Sequence, residues 1–585
     1  MRTGAVVTES NHSENSLITS TISALPLEIQ PFARYLTTPS GLVLIVCCIL
    51  LLLMKQDNKK TTLAHGRWAN SREIKAAREL ACQQIENQVQ EKFALYIGTP
   101  RESKMVTEPD GRKILCLPED PRTIYIPNAQ ENIINIGRSG SGKTFSAIRR
   151  IEMSAIQQGF TLYCYDFKGH EDPAPSSELV DFAYKHGYKV SILGVGYPET
   201  YCCNLLDFIK DELDSENALE IASAINANLK LSGGGGSSSF FSETGNQLVQ
   251  AVMMLAKGSP YPDIAMCHKI LSLPNLVERL RNARLNQYQK IAFDTFLSSA
   301  GSPETAASIA STASIMFSRF TSPQILRTFG GQTTLPLNVD GKHLIIFKVN
   351  PKQRNTVLPL NATVMQMHIS RNVYRPRKVP LIFSGDEINT TYLKPLVDWV
   401  NQNRSSKFCA SLGVQSLGFF EEVYGEKMVQ GILGGCTTQI IFQLNDKKTA
   451  DYFSSILGDR EIEFIQKSKS TSQGKTTRSR TPQIQIRPLM EASQLAKIKR
   501  GRAVMINSGQ ENETESRIPI KVNFKIPQRD IDAMKEGKKM WSTHREAMIS
   551  RNSIKPFTER DWLEREKAAN KLLPDPNAKE LASLF

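Results

Sequence analysis

At 585 residues the chain is too long for one hydrophobic core, so several domains are expected. Lysine and arginine outnumber aspartate and glutamate by 72 to 58, giving +14; this suits a polyanionic partner or an anionic lipid surface, although surplus charge also serves solubility. Eight histidines lack metal-ligand spacing and ten cysteines contain no CxxC, which argues against both a zinc ribbon and a disulfide scaffold.

The first element is apolar. Gly41–Met54 carries no polar residue and Tyr35–Met54 carries no charge, about the length needed to span a bilayer. A cleavable signal is disfavoured, because the apolar core begins some forty residues in and no small-x-small site follows it. Within twenty residues on each side, Lys55, Lys59, Lys60, Arg67 and Arg72 lie downstream, against Arg34 alone upstream. The positive-inside rule then puts residues 1–34 outside and the remainder in the cytoplasm.

A charged helix is expected over Ser71–Phe93, within a connector spanning 55–115. Next comes Gly137–Thr144, GRSGSGKT, which fits G-x-x-x-x-G-K-[ST] at every fixed position. A strand-like run, Asn132–Ile136, precedes it and a helical pattern, Thr144–Gln158, follows. In such a loop Gly137, Gly140 and Gly142 let backbone N–H groups turn inward onto phosphate oxygens, together with those of Arg138, Ser139 and Ser141. Lys143 would reach the terminal phosphates and the Thr144 hydroxyl would ligate Mg²⁺. The pattern predicts a nucleoside triphosphate site.

Further short β-rich runs are Thr161–Tyr165, Lys189–Leu193, His343–Val349, Leu381–Phe383, Phe408–Gly413, Thr438–Leu444 and Arg502–Asn507. Alternating with helices, they predict a mostly parallel α/β sheet in two parts, 116–213 and 330–527. Residues 214–329 read as an inserted all-α domain containing a flexible SGGGGSSS stretch at 232–239. Gln466–Arg480 carries five basic residues and no acid; it reads as a loop, either merely solvated or in contact with phosphate backbone. The tail, 528–585, reads as a docking appendage or a frayed end.

The acidic half of the site falls at Val379–Glu387, VPLIFSGDE. Asp386 is expected in the Mg²⁺ shell and Glu387 at the attacking water; the rival is an exposed acidic pair ending an ordinary strand. Ser384 and Gly385 stand where apolar residues usually continue, which blurs the register of the two carboxylates. Gln415 follows the next strand and would lie beside the acids as a γ-phosphate sensor, or serve only structure. Arg404 ends an expected helix, Thr391–Asn403, as a dipole partner or as a finger toward a neighbouring subunit.

With these blocks in order, the chain resembles the type IV secretion coupling proteins, the membrane-anchored ATPases of bacterial conjugation. The blocks are the anchor with AHGRWANSREI (Ala64–Ile74), GRSGSGKT, YDFKGHE (Tyr165–Glu171), the DE strand, and Asn403–Gly425. Asp451–Gly458 and Leu495–Gly509 look like the family's closing segments. Two departures stand: one membrane segment where many members have two, and a tail after Lys525 with no counterpart. The resemblance implies an α/β, RecA-like P-loop NTPase with an inserted all-α domain, forming a homo-hexamer at the bacterial inner membrane. It implies ATP hydrolysis with Mg²⁺, used to deliver single-stranded, relaxase-bound DNA into a type IV secretion channel. It also places Lys168 and Asp166 near the nucleotide and gives Arg404 a trans-acting role. The alternatives are a protein-substrate receptor with weak ATPase activity and a septal-type double-stranded DNA pump.

Overall fold

The computed structural model describes Thr38 and residues 66–576, except 88–91, 102–103, 108–112, 117–118, 232–242, 473–474 and 553. Apart from Thr38, the expected membrane stretch Tyr35–Met54 lies outside the described residues, as does 232–239. Among the described residues no helix is long and apolar enough to cross a membrane.

Fifteen strands are described: β1 (Leu95–Ile97), β2 (Lys104–Thr107), β3 (Lys113–Cys116), β4 (Ile124–Ile126), β5 (Ile133–Ile136), β6 (Thr161–Asp166), β7 (Lys189–Leu193), β8 (His343–Lys348), β9 (Leu381–Gly385), β10 (Phe408–Val414), β11 (Thr438–Ile441), β12 (Asp459–Ser472), β13 (Lys475–Pro488), β14 (Arg502–Ile506) and β15 (Ile520–Asn523). Nine of them form one sheet in the order β15-β14-β11-β5-β10-β9-β6-β8-β7. From β11 to β7 every pairing is parallel, while β14 and β15 join antiparallel at one edge.

Both faces of the parallel strands are covered, which is why they read as unbroken apolar runs. Tyr163, Tyr165, Ile345, Phe347 and Phe383 enter one core; Leu162, Cys164, Leu344, Ile346 and Ile382 enter the other. That division follows the two-residue period of a strand. Between β7 and β8 the described residues form seven α-helices, from Ser215–Leu231 to Pro323–Phe329, with no strand among them.

Ala64–Ile74 contains a working helix start. Asn70 caps helix Ser71–Glu86 in a capping box with Glu73. Arg67 pairs with both Glu73 and Glu515, and its bonds to Glu73 hold that carboxyl down to about 2 despite burial. The helix stops at Glu86, shorter than the pattern suggested.

Gln466–Arg480 is corrected. It is not a loop but falls largely within the far half of a ribbon, the two-stranded sheet of β12 and β13. Where burial is described its side chains are mostly exposed, and a ribbon of that kind needs no apolar alternation, so its sequence carried no strand signal.

The described part of the C-terminal tail, up to residue 576, is docked. Helix Gln528–Arg551 packs on helix Glu178–Lys185, where Gly537 lets the backbones touch at Glu178. His544 meets Asp181 at 2.9 Å and Arg545 meets Glu199 at 3.1 Å. Helix Glu559–Leu572 then packs on helix Ile264–Leu271 of the all-α segment. There the Arg565 guanidinium grips Asp263, both buried, and Lys269 reaches Glu566 at 2.6 Å. Arg565→Ala would leave Asp263 buried and unpaired. It is expected to cost about 3–5 kcal/mol of stability, read from denaturant unfolding against Lys269→Ala, whose exposed pair should cost less than about 1 kcal/mol.

Candidate nucleotide site

The glycine-rich loop leaves the end of β5 and is slung between that strand's two neighbours. Gly137 N–H donates to Val414 O at 3.2 Å, at the end of β10, and Arg138 N–H donates to Gln443 O at 2.9 Å, just past β11. Arg138 Nε also donates to Gln443 Oε1 at 2.9 Å. Gly140 and Gly142 have φ of +75° and +100°, which only glycine adopts cheaply. The helix that follows opens with a π-helical turn, Thr144–Ile148, and becomes α-helical over Arg149–Gln157. Such wide turns recur at functional sites.

Lys143 folds back over the loop, its Nζ donating to Gly137 O at 2.8 Å. Burial pushes its pKa down, while Asp386 and Glu387 oppose that. Ser141 Oγ is buried with no hydrogen-bond partner among the described residues.

β9 settles the register of the acids. Ser384 and Gly385 belong to the strand and are buried, so Asp386 and Glu387 follow it directly. The serine is needed: its hydroxyl donates to Glu152 Oε1 at 2.6 Å, and Arg149 holds the other oxygen of Glu152 at 2.6 Å. Thr144 Oγ1 donates to Asp386 Oδ2 at 2.5 Å, joining the loop to the acidic strand. A hydroxyl and a carboxylate side by side form the hard-oxygen pair that Mg²⁺ takes. The inward-turned loop, the orphaned Ser141 hydroxyl and this pair fit a magnesium nucleotide.

Asp386 has room because the facing residue on β10 is glycine. A Cβ on Gly413 would stand 2.5 Å from Asp386 Oδ1 and 2.9 Å from Ile148 Cδ1. Gly413→Ala is therefore expected to displace Asp386 and cost about 1–3 kcal/mol in overpacking. Titration with nucleotide should show the affinity loss in the presence of Mg²⁺ and little without it.

Glu387 adopts φ +58°, a left-handed conformation costing a non-glycine residue about 1 kcal/mol or more. Burial, and then Asp386, push its pKa up; Lys168, Lys143 and Gln415 pull the other way. Lys168 Nζ stands 3.7 Å from Glu387 Oε1, and Gln415 Nε2 donates to the same oxygen at 3.5 Å. β10 lies between β9 and β5, which is what brings Gln415 beside the acid. Asp166 accepts from Lys168 N–H at 2.9 Å and Ser176 N–H at 2.8 Å, so its carboxylate shapes the loop that presents Lys168. Trp541 Nε1 donates to Asp172 Oδ1 in that loop at 3.2 Å.

Lys143, Thr144, Asp386, Glu387, Lys168 and Gln415 thus gather at one sheet edge. Arg404 does not join them. It is exposed in the turn between helix Leu396–Gln402 and the start of β10, the opposite edge of the sheet. That helix is shorter than Thr391–Asn403, since Pro395 and the turn before it begin it late. Glu152 and Arg149 were missed by sequence reading. They line the same cavity as Thr144, Asp166, Lys168 and the two acids.

The family whose description is "TraM recognition site of TraD and TraG" matches residues 380–500. That stretch runs from β9 past the ribbon. The conjugal transfer protein TraG of Rhizobium radiobacter is 29% identical over 130 residues, 22% of this chain and 20% of the relative. TraG of Agrobacterium fabrum strain C58 is likewise 29% identical over 130 residues. The match thus spans about a fifth of these relatives' length. Among solved structures, the bacterial conjugative coupling protein TrwBdeltaN70 superposes with a TM-score of 0.52 at 16% identity, covering 75% of this chain and 94% of that one. The plasmid coupling protein TrwB in complex with the non-hydrolysable GTP analogue GDPNP gives 0.50 at 17%, covering 69% and 88%. Over residues 380–500 the chain is thus similar to the type IV coupling proteins TraD and TraG. The coupling-protein resemblance carried by the sequence blocks and the fold of the solved neighbours agree.

Proposed function

We propose that this chain is the nucleoside triphosphatase that couples relaxase-bound DNA to a type IV secretion channel, as an ATP-hydrolysing motor at the bacterial inner membrane. The observation that carries the reading is the Thr144–Asp386 contact at 2.5 Å, which unites a complete phosphate loop with an acidic strand end. The TrwB complex with a nucleotide analogue supports nucleotide binding here by analogy of fold.

The chain's own residues divide the work. Backbone N–H groups of Gly137–Thr144 cradle the phosphates and Lys143 leaves Gly137 O to meet their charge. Mg²⁺ held by Thr144 and Asp386 would supply charge neutralisation when bound. Glu387, with its pKa raised, orients and accepts a proton from water. Lys168 and Gln415 hold its Oε1 until nucleotide arrives. In this reading the motor is RecA-like, the all-α segment is mounted on it, Tyr35–Met54 anchors it, and six copies form a ring.

DNA as the moved polymer is supported by the net charge of +14 and the basic residues of the ribbon. The family described as a TraM recognition site supports a protein partner of the DNA-processing complex on 380–500. The test is ATPase turnover with single-stranded, double-stranded and no DNA. Stimulation by single strands, with affinity falling steeply as salt rises, is expected. Neutralising Lys467, Lys469, Lys475, Arg478 and Arg480 together should flatten the salt slope by about 3.5, close to 0.7 per lost phosphate contact. Turnover indifferent to DNA would replace the motor with a protein receptor.

A further inference from the structure

The acids define one side of the phosphate loop. Asp386 and Glu387 end β9, which is separated from β5 by β10. On the other side β11 pairs with β5, and β14 pairs antiparallel with β11. Being antiparallel, β14 starts where the parallel strands end. The turn leading into it, Lys499–Arg502, therefore stands at the nucleotide edge, opposite the acids. The contact is close: a Cβ on Gly142 would lie 3.5 Å from Arg500 Cγ and 3.8 Å from Gly501 N.

A triphosphate whose reacting end meets Thr144, Asp386 and Glu387 must send its nucleoside the other way, over Gly142. Arg500 stands there, and Phe145 follows three residues after Gly142; neither side chain has an evident packing role. Phe145 is the second residue of the π-helical turn and is 48% exposed, although an aromatic ring gains most from burial. One face of its ring is covered by the Arg150 guanidinium, 5.0 Å from the centroid. Arg150 is itself buried and braced, donating from Nε to Phe145 O at 3.2 Å and from Nη1 to Asp530 O at 3.1 Å. The ring is thus held from behind with its other face bare. Arg500 is exposed, with no hydrogen bond or ion pair among the described residues.

We propose that Phe145 and Arg500 form the nucleoside subsite: the purine stacks on the bare face of Phe145, and the Arg500 guanidinium packs against the base or ribose from the turn. The proposal rests on the phosphate-loop reading and adds what holds the other end of the ligand. Stacking is available to any base because each has a π-face, and arginine adds a cation–π contribution.

The test separates nucleoside from phosphate. Full-length protein is titrated with Mg-ATP and with Mg-tripolyphosphate, for the wild type, Phe145→Ala, Phe145→Trp and Arg500→Ala. The wild type is expected to favour ATP by roughly tenfold or more, the size of one base–aromatic stack. Phe145→Ala should lose that preference while binding tripolyphosphate as before, and Phe145→Trp should keep it. Arg500→Ala should lower ATP affinity about threefold and leave tripolyphosphate unchanged, a weaker contact than a full stack. Unchanged tripolyphosphate binding also shows that each variant is folded. Equal wild-type affinity for the two ligands, or equal losses for both in Phe145→Ala, overturns the subsite but keeps the phosphate loop. A wild type that binds neither ligand overturns the phosphate loop and the subsite with it.

Discussion

Lys143→Ala is expected to abolish nucleotide hydrolysis and most nucleotide binding, whereas Glu387→Gln should abolish hydrolysis and leave binding intact. The difference follows from where the two side chains sit. Lys143 is buried inside the loop and already bonded to Gly137 O at 2.8 Å, so removing it takes a buried cation from the cradle's interior and loosens the loop. Glu387 follows Asp386 on a backbone with φ +58° and takes no part in the Thr144–Asp386 contact. Glutamine keeps its size and its contact with Gln415 but cannot accept a proton. Loss of a positioned general base costs about a hundredfold to ten-thousandfold in rate. The raised pKa of Glu387 adds a pH signature: the base form is lost as pH falls, at a pH above the ordinary carboxylate range. Turnover should therefore drop on the acid side while nucleotide binding persists. Near-normal turnover in Lys143→Ala would remove the assignment of this loop.

The parts legible in sequence are those where one residue type leaves no alternative. GRSGSGKT needed no structure, and the parallel strands announced themselves because burial on both faces demands apolar runs such as LIIF at Leu344–Phe347 and LIF at Leu381–Phe383. Ser384 looked like an interruption of its strand. In the fold it is a buried donor to Glu152, which the sequence shows only as one acid within a helix. A carboxylate's burial appears only when β9 is laid against that helix, and no spacing rule predicts it. The edge strand β15 was missed because IKVN alternates around a single buried valine. The ribbon of β12 and β13 was missed for a related reason: Phe464, Ile465, Ile484 and Ile486 stay exposed, so no covered face imposed a pattern. Tail docking was equally illegible. It depends on Gly537 meeting Glu178 and on Arg565 meeting Asp263, contacts between residues hundreds of positions apart.

Arg404→Ala is expected to cost about a thousandfold or more in turnover, as loss of an arginine finger does, with little loss of stability. Its place in the fold makes the reason specific. It precedes β10, while Gln415 follows that strand's far end beside Glu387. Seven residues of strand separate the two edges, roughly 20 Å or more at about 3.3 Å per residue. A side chain about 7 Å long cannot cross that distance to its own nucleotide. Within the chain Arg404 is exposed and makes no hydrogen bond or ion pair among the described residues, which leaves the helix-capping role unsupported. In the proposed ring the same edge would face the next subunit's site, where a guanidinium would meet charge developing on the transferred phosphoryl group. Mixing distinguishes the two roles. Arg404→Ala and Lys143→Ala subunits, each inactive alone, should regain activity together, because some interfaces in a mixed ring carry both residues intact. Rings shown to be mixed that stay inactive would argue against the trans role, and full activity of Arg404→Ala alone would end it.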